Sequence, residues 1–391
     1  MGVKKVAISV GELSGDEHAA HVIRALSRIS PEVTVKGMGG RNLRDAGADT
    51  VVDSEVSASV MGFADVLLSA PKILSTYGRM KTLLREWQPG VLILVDYPDF
   101  NLRLARYAKS LGIRVLYFIT PQLWAWRSGR VELFRRYVDQ AAVIFPFERQ
   151  FFEERGYKGA VYVGHPFSDT IKRESPESEI SFKKDFSIEH GLDPHRPIVA
   201  LFPGSRRHEL KRHLAPILEG AKLLQAKHNQ VQFVLAASPS LSSSGFLESA
   251  SLPSNLRIVT SNSLGVLRVS DAAVLKSGTS NLQAAFLGVP FVMFYKASPL
   301  SEWIVRSFVK VREFSIVNVI ESGTVNELLQ QEAEPQAVSA NLERLLFDQA
   351  AREKMVRDFG SIRELLAKYD EASGLTGCQG YAERVARMVL Q

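Results

Sequence analysis

The 391-residue sequence predicts an α/β fold: two doubly wound parallel-sheet domains in tandem, with a helical C-terminal tail. Three observations carry that expectation. Short apolar runs recur with helix-period segments between them, the pattern of alternating strands and helices. The runs lack strict alternation, as expected of strands covered by helices on both faces. The pattern also lapses once, over the charged stretch Thr170–Arg196, and restarts at Pro197.

The elements follow in order. Val6–Val10 reads as the first strand. The helix after it has Ala19, Val22, Ile23, Leu26 and Ile29 on one face. Further strands are expected at Val33–Lys36, Val91–Val95, Val115–Ile119, Ala141–Phe145 and Val161–Val163. The second half adds Ile198–Phe202, Val231–Ala236, Leu256–Val259, Ala272–Leu275 and Phe291–Phe294. The resulting expectation is a Rossmann-like domain over 1–170, a charged connection over 171–196 and a second Rossmann-like domain over 197–335. A helical tail over 336–391 is expected to pack back on the first domain. Two such domains facing each other bring the carboxyl ends of both sheets to one cleft, so every strand-to-loop junction becomes a candidate site. The opening MGVKKVAISVGELSGD is read as a core strand, because its apolar run is too short for a secretory signal and leads into a glycine-acid turn.

Composition narrows the function. Hydrophobic residues make up 46% and charged residues 23%, enough for two cores. The net charge of +6 suits nucleic acid, an anionic membrane surface or a phosphorylated substrate. No arginine-rich aromatic motif of the RNA-binding kind is present, so nucleic acid is set aside. Cys378 is the only cysteine, which excludes an internal disulfide and a multi-cysteine metal site and fits a reducing compartment. The longest uncharged stretch, Ser277–Tyr295, is broken by Gly, Pro and Asn and does not read as a membrane span.

The sharpest segment is IVALFPGSRRHELKRHL, Ile198–Leu214. A strand runs into a turn where Gly204 permits close backbone approach and Ser205 can cap the next helix. Arg206 can grip an anion at that helix start with a fork of donors, and a diphosphate is the natural guest. SGTSNLQAAFLGVP repeats the logic: Ser277, Gly278 and Thr279 open a helix, and Gln283 one turn on can reach a ribose hydroxyl. In VLILVDYPDFN, Asp96 ends a wholly apolar strand where ligands bind, and a shielded carboxylate there makes a good general base. Asp99 is better read as a helix cap. GELSGD is either a βα turn capped by Ser14 or Asp16, or a loop that contacts a sugar through Glu12 or Ser14; it is neither a GxGxxG nor a Walker loop. Trp124 and Trp126 beside Arg127 and Arg130 suit a sugar face plus a phosphate, or a core anchored by salt bridges. His165 suits a phosphate contact or a backbone partner. Val56–Trp87, with Val66, Leu67, Lys72, Arg79, Lys81 and Arg85, suits a membrane interface or packing on the first sheet.

Taken together, these segments resemble lipid-A-disaccharide synthase, a glycosyltransferase of the two-Rossmann GT-B type. The resemblance rests on GELSGD, VMGFADVL, DYPDFN, TPQLWAWR, FPFE, VGHP, PGSR, SGTSNLQAAFLGVP and NELLQQEAEP, in the family's order. It implies an inverting transfer of 2,3-diacylglucosamine from UDP to the 6-hydroxyl of 2,3-diacylglucosamine 1-phosphate. The product is a β-1,6 disaccharide 1-phosphate, and UDP is released. It further implies no cofactor and no metal, and a peripheral place on an anionic membrane surface, the cytoplasmic face of the inner membrane of a Gram-negative-type bacterium. In that frame Asp96 is the base and Arg206 steadies the leaving diphosphate. Gly204, Ser205, Ser277, Gly278, Thr279, Gln283 and Asn318 are expected at the donor. Glu12, Ser14, Met61, Trp124, Arg127 and His165 are expected at the acceptor. The chain departs from the family in having Gln283 for the usual glutamate and Val317 for a proline. The residues leave open another GT-B enzyme, such as a UDP-sugar epimerase or other lipid-linked glycosyltransferase, and a non-catalytic sugar-nucleotide sensor. Monomer and homodimer are both open.

Overall fold

A computed structural model describes residues 3–54, 63–172, 174–238, 241, 245–247, 251–260, 262–297, 313–369 and 375–391, with 63–70 described as helix backbone alone. Met61 and the side chains of Val66 and Leu67 therefore lie outside the described residues. The chain divides into two units, residues 1–169 with 366–391, and residues 170–365.

The first unit is a seven-stranded parallel sheet. Its chain order is β1 (Lys5–Val10), α1 (Leu13–Ile29), β2 (Thr34–Gly39), α2 (Arg41–Asp45), β3 (Asp49–Asp53), α3 (Phe63–Trp87) and β4 (Val91–Val95). It continues with α4 (Pro98–Ser110), β5 (Arg114–Phe118), α5 (Val131–Tyr137), β6 (Gln140–Val143), α6 (Pro146–Glu153), β7 (Ala160–Tyr162) and α7 (Pro166–Thr170). The strands lie in the order β3-β2-β1-β4-β5-β6-β7. Every residue of β4 is buried, which explains its unbroken VLILV run.

The second unit repeats the design with six parallel strands. It comprises α8 (Pro176–Glu189), β8 (Ile198–Phe202), α9 (Arg207–Lys227), β9 (Gln232–Ala236), β10 (Leu256–Val259), α10 (Ser263–Val269) and β11 (Ala272–Lys276). Then come α11 (Thr279–Leu287), β12 (Phe291–Tyr295), α12 (Ile316–Ile320), β13 (Glu327–Leu329), α13 (Pro335–Phe347) and α14 (Gln349–Ala367). The sheet order is β10-β9-β8-β11-β12-β13. The two strands absent from the sequence reading, β3 and β13, are both sheet edges: β3 begins and ends on aspartate, and β13 has only three residues.

Residues 171–196 do more than connect. They contain α8, which packs on α10 within the second unit. Lys183 of α8 holds Asp271 at 3.0 Å, and Arg268 of α10 holds Glu179 at 2.8 Å. The tail is divided as well. α13 packs on α9, whereas α15 (Tyr381–Leu390) returns to the first unit and packs on α1. There His21 Nδ1 meets the Tyr381 hydroxyl at 2.8 Å, and Arg384 Nε donates to the Val163 carbonyl at 2.7 Å. A mostly apolar helix face with a buried, hydrogen-bonded arginine ties the end of the chain to the first sheet.

Candidate active site

In each unit the strand order reverses beside the first strand, between β1 and β4 and between β8 and β11. Crossover loops leave in opposite directions there, opening a crevice at the carboxyl ends, the place where α/β sheets bind ligands. Val10 pairs with Val95 across the first switch point, and Phe202 with Leu275 across the second. The residues that follow are Gly11–Glu12, Asp96–Tyr97, Pro203–Arg206 and Ser277–Thr279. The four motifs that the sequence singled out thus fall in pairs at the two switch points.

At the first switch point, Asp96 and Tyr97 have φ of +46° and +48°, two successive non-glycine residues in the left-handed region. Such backbone costs about 1–3 kcal/mol per residue and persists only where its surroundings hold it. The Asp96 carboxyl has its pKa raised to about 6, first by burial, then by the charge of Glu12, while a hydrogen bond from the Tyr97 N–H pulls the other way. Gly11 is required opposite Tyr97: a Cβ there would lie 2.4 Å from the tyrosine Cγ.

The neighbouring acids serve other ends. Asp16 is buried inside α1, and its carboxylate accepts the N–H groups of Gly40 (2.6 Å) and Asn42 (2.9 Å). Neither it nor Ser14 caps α1, which begins at Leu13 after Glu12; Ser14 lies exposed in the first turn. Asp99 is not the cap of α4 either, since Tyr97 holds that position. Asp99 instead pairs with Arg130 and, at 3.7 Å, with Arg127.

The two tryptophans part company. Trp126 is 47% exposed with the Arg127 guanidinium 4.4 Å from its ring centre, whereas Trp124 is partly buried and meets Phe147 edge to face. His165 is buried between Phe145 and Phe167, and its Nδ1 accepts the Phe167 N–H. Burial and then the charge of His18 lower its pKa to about 3, so it is neutral at pH 7, and its Nδ1 takes the backbone partner that the sequence offered as one of two readings. A further buried acid, Glu148, accepts the N–H groups of Phe145 (3.0 Å) and Ile144 (3.2 Å) and the Thr120 hydroxyl. Burial outweighs those bonds and raises its pKa to about 7.

At the second switch point the turn has a tenant of its own. Glu209, in the first turn of α9, is only 3% exposed. Its Oε2 accepts the N–H groups of Ser205 and Arg206, both at 3.3 Å, and its Oε1 lies 3.0 Å from Lys276 Nζ. Burial alone would raise its pKa; the Lys276 ammonium and the Arg206 N–H more than offset that, so it is lowered. Gly204 has φ of +120°, and a Cβ there would stand 2.6 Å from Glu209 Oε2. Ser205 is therefore not the cap of α9. Arg206 holds the N-cap position and Glu209 supplies the carboxylate. One turn on, buried His213 donates from Nδ1 to the Pro203 carbonyl at 2.8 Å and accepts the Lys296 N–H at Nε2. Burial lowers its pKa, consistent with that neutral tautomer.

The Glu209–Lys276 ion pair links the Pro203–Arg206 turn to the strand that delivers Ser277–Thr279. Ser205, Arg206, Gly278 and Thr279 are exposed, and Gln283 is half-buried. The Ser277 hydroxyl is committed to the Phe314 carbonyl at 3.0 Å. Asn318 is turned inward: its amide donates to the Val325 carbonyl and Glu327, and its oxygen accepts the Val325 N–H. With those bonds made in a buried site, its expected donor contact is corrected to a structural one.

Sequence reading missed Glu209, Lys276 and His213. The first had a signal, an acid three residues after the N-cap, the acidic half of a capping box. Lys276 and His213 had none, because their partners lie far along the chain.

The family model described as lipid-A-disaccharide synthetase matches residues 6–373. The lipid-A-disaccharide synthase of Geobacter metallireducens is 38% identical over 99% of this chain and 97% of its own length. That of Anaeromyxobacter dehalogenans strain 2CP-C is 40% identical over 94% of each. Among solved structures, the UDP-GlcNAc 2-epimerase of Neisseria meningitidis superposes with a TM-score of 0.61 at 14% identity, covering 93% of this chain and 99% of that one. The glycotransferase of kitacinnamycin superposes at 0.62 with 16% identity, covering 100% and 99%. At such identities the structures speak to the fold, which is that of GT-B glycosyltransferases.

Proposed function

The chain belongs to the lipid-A-disaccharide synthase family, and from that premise we propose how its two switch points divide the reaction. The enzyme is a glycosyltransferase that joins a UDP-linked sugar donor to a lipid acceptor. The finer substrates are 2,3-diacylglucosamine on UDP and 2,3-diacylglucosamine 1-phosphate, whose 6-hydroxyl attacks the anomeric carbon with inversion.

Asp96 takes the proton from that hydroxyl. The observation that carries this role is its carboxyl: it ends a buried strand at the switch point, with a pKa raised to about 6. A base poised there is mostly ionised at pH 7 and still basic enough to pull. Arg206, with the exposed Gly278–Thr279 helix start, steadies the leaving diphosphate as its charge develops. Glu12, Trp126 and Arg127 line the acceptor side, Trp126 taking the place that the sequence gave to Trp124. The test is mass spectrometry of products from synthetic diacyl donor and acceptor, with wild-type protein and with Asp96→Asn. Disaccharide phosphate from the wild type alone supports the reading. Donor binding without product from the wild type defeats it in favour of a sensor.

Among the described residues no helix is long and apolar enough to cross a membrane. The acyl chains of both substrates call for a peripheral seat on an anionic bilayer, at the cytoplasmic face of the inner membrane. The cations of α3 bear on how that seat is built. Lys72 and Arg79 are seven residues apart and share one side of the helix, whereas Leu74, which is 66% exposed, lies on the side of Lys81 and Arg85. Lys81 and Arg85 fall on the other side, where Lys81 sits 4.5 Å from the Tyr107 ring centre and Arg85 pairs with Glu86 at 3.3 Å. Arg79 in turn donates to the Val51 carbonyl, so cations on both sides of the helix are engaged, and the seat is assigned to all four together with exposed Leu74. Joint replacement of Lys72, Arg79, Lys81 and Arg85 by Glu abolishes co-sedimentation with anionic vesicles; retention by that variant defeats the assignment.

A further inference from the structure

A general base is useful only if its carboxylate points at the reacting hydroxyl, and the backbone of Asp96 is held in a conformation it would not choose. The hold is visible in the hydrogen bonds. The Asp96 carbonyl accepts two, from Asn101 Nδ2 at 2.7 Å and from the Tyr117 hydroxyl at 2.6 Å. Asn101 Nδ2 also donates to the Val95 carbonyl at 3.1 Å and leans on the Ser9 carbonyl at 3.4 Å. The Ser9 hydroxyl donates to Asn101 Oδ1 at 2.7 Å, and the carbonyls around Nδ2, which can only accept, fix which way round the amide lies. Asn101, Ser9 and Tyr117 are all fully buried.

The clamp thus reaches across three adjacent strands. Ser9 is on β1, Val95 ends β4 and Tyr117 is on β5, with Asn101 rising from the first turn of α4. All of these groups bind backbone or one another; the Asp96 carboxylate is left out of the clamp and remains available. The other side of the bend is closed by Tyr97, whose ring stacks on Phe100 at 5.3 Å and lies where a Cβ at position 11 would be. An unpartnered buried asparagine is costly, so a fully satisfied one specifies a single local geometry.

We propose that Asn101 and Tyr117 are positioning residues for the transfer. By gripping the Asp96 carbonyl they keep the Asp96–Tyr97 bend in its left-handed conformation and hold the carboxylate on its target. The inference rests on Asp96 being the base. Its substrate-independent content is that the asparagine of DYPDFN acts through a main-chain oxygen rather than on a ligand.

Tyr117→Phe is the decisive variant, because it deletes one hydroxyl and keeps the ring in the core. Initial rates with synthetic donor and acceptor, followed from about pH 5 to pH 9, read its effect. The expected result is a fall in kcat of about tenfold, the worth of one hydrogen bond, with KM for both substrates within about twofold. The acidic limb of the profile also shifts toward lower pH, because a released carboxyl gains access to water. Asn101→Ala removes the other donor and is expected to lower kcat further. If Asn101→Ala does not fold, Tyr117→Phe alone decides. A Tyr117→Phe enzyme with wild-type kcat and an unmoved acidic limb overturns the proposal, even if its melting temperature drops. Asp96→Asn measured alongside separates the two readings. Full activity in that variant removes the base assignment itself, whereas an inactive Asp96→Asn with an unaltered Tyr117→Phe removes only the clamp.

Discussion

Asp96, in the turn after β4, and Glu209, in the first turn of the helix after β8, are both partly or wholly buried carboxylates at switch points, one in each unit, yet they are held in opposite ways. Glu209 has a cation 3.0 Å away and two backbone N–H groups on its other oxygen, so its charge is answered and its pKa is lowered. Asp96 has an acid for a neighbour and its pKa is raised to about 6. Its backbone, not its carboxylate, receives the strong hydrogen bonds. A carboxylate whose bonds are made is scaffold. One that the fold buries beside another acid rather than a cation keeps a raised pKa and is available for proton transfer. The helix start that the sequence offered to a diphosphate is already capped by a carboxylate of the chain itself, with Ser205 and Arg206 exposed beside it.

Asp96→Asn puts the largest strain on this contrast. Turnover is expected to fall by about 10²–10⁴, the range for loss of a general base. In the wild type, activity should rise with pH through about 6 as the carboxylate ionises. The stability effect has the opposite sign. A carboxyl whose folded pKa exceeds its unfolded value of 3.8 weakens the fold as pH rises through that interval. The melting temperature of Asp96→Asn should therefore exceed that of the wild type, by more at pH 8 than at pH 5. An activity loss accompanied by destabilisation at pH 8 breaks the contrast.

Arg206→Ala comes next. Turnover should fall by about 10²–10³ through lost charge stabilisation, with acceptor KM little changed. A defect confined to acceptor affinity refutes the assignment. Glu209→Gln has the smallest expected effect, chiefly on stability. It leaves Lys276 without its anion and costs about 1–3 kcal/mol in urea unfolding. Because the folded pKa of Glu209 is lowered, its contribution is present above its unfolded value of 4.5 and is lost as pH falls through the folded one. A Glu209→Gln protein as stable as the wild type at pH 7 would show that the pair is not scaffold.

Much of this arrangement was legible in the chain. Apolar runs located β1, β4, β8 and β11, and the glycines and hydroxyls after them marked the loops that matter. DYPDFN drew attention to Asp96 because an acid at the carboxyl end of a wholly apolar strand stands where α/β sheets bind ligands. The roles of Ser205, Ser277, His165 and Asn318 were not legible. Each is a hydrogen-bonding residue at a plausible place, and whether it faces a ligand or the backbone depends on neighbours far along the chain. Ser277, for example, meets Phe314, and His165 is packed between Phe145 and Phe167.

By itself the sequence determined two doubly wound sheets, the strand ends that form the switch points and the family to which the motifs belong. Those follow from local periodicity and turn chemistry, which are written in consecutive residues. Only the tertiary structure decided that Glu209 fills the Pro-Gly-Ser-Arg turn, that Lys276 answers it, and that Asn101 and Tyr117 grip the carbonyl of Asp96. Burial and hydrogen-bond partnership set the charge and direction of a side chain, and both are properties of strands brought together across the sheet.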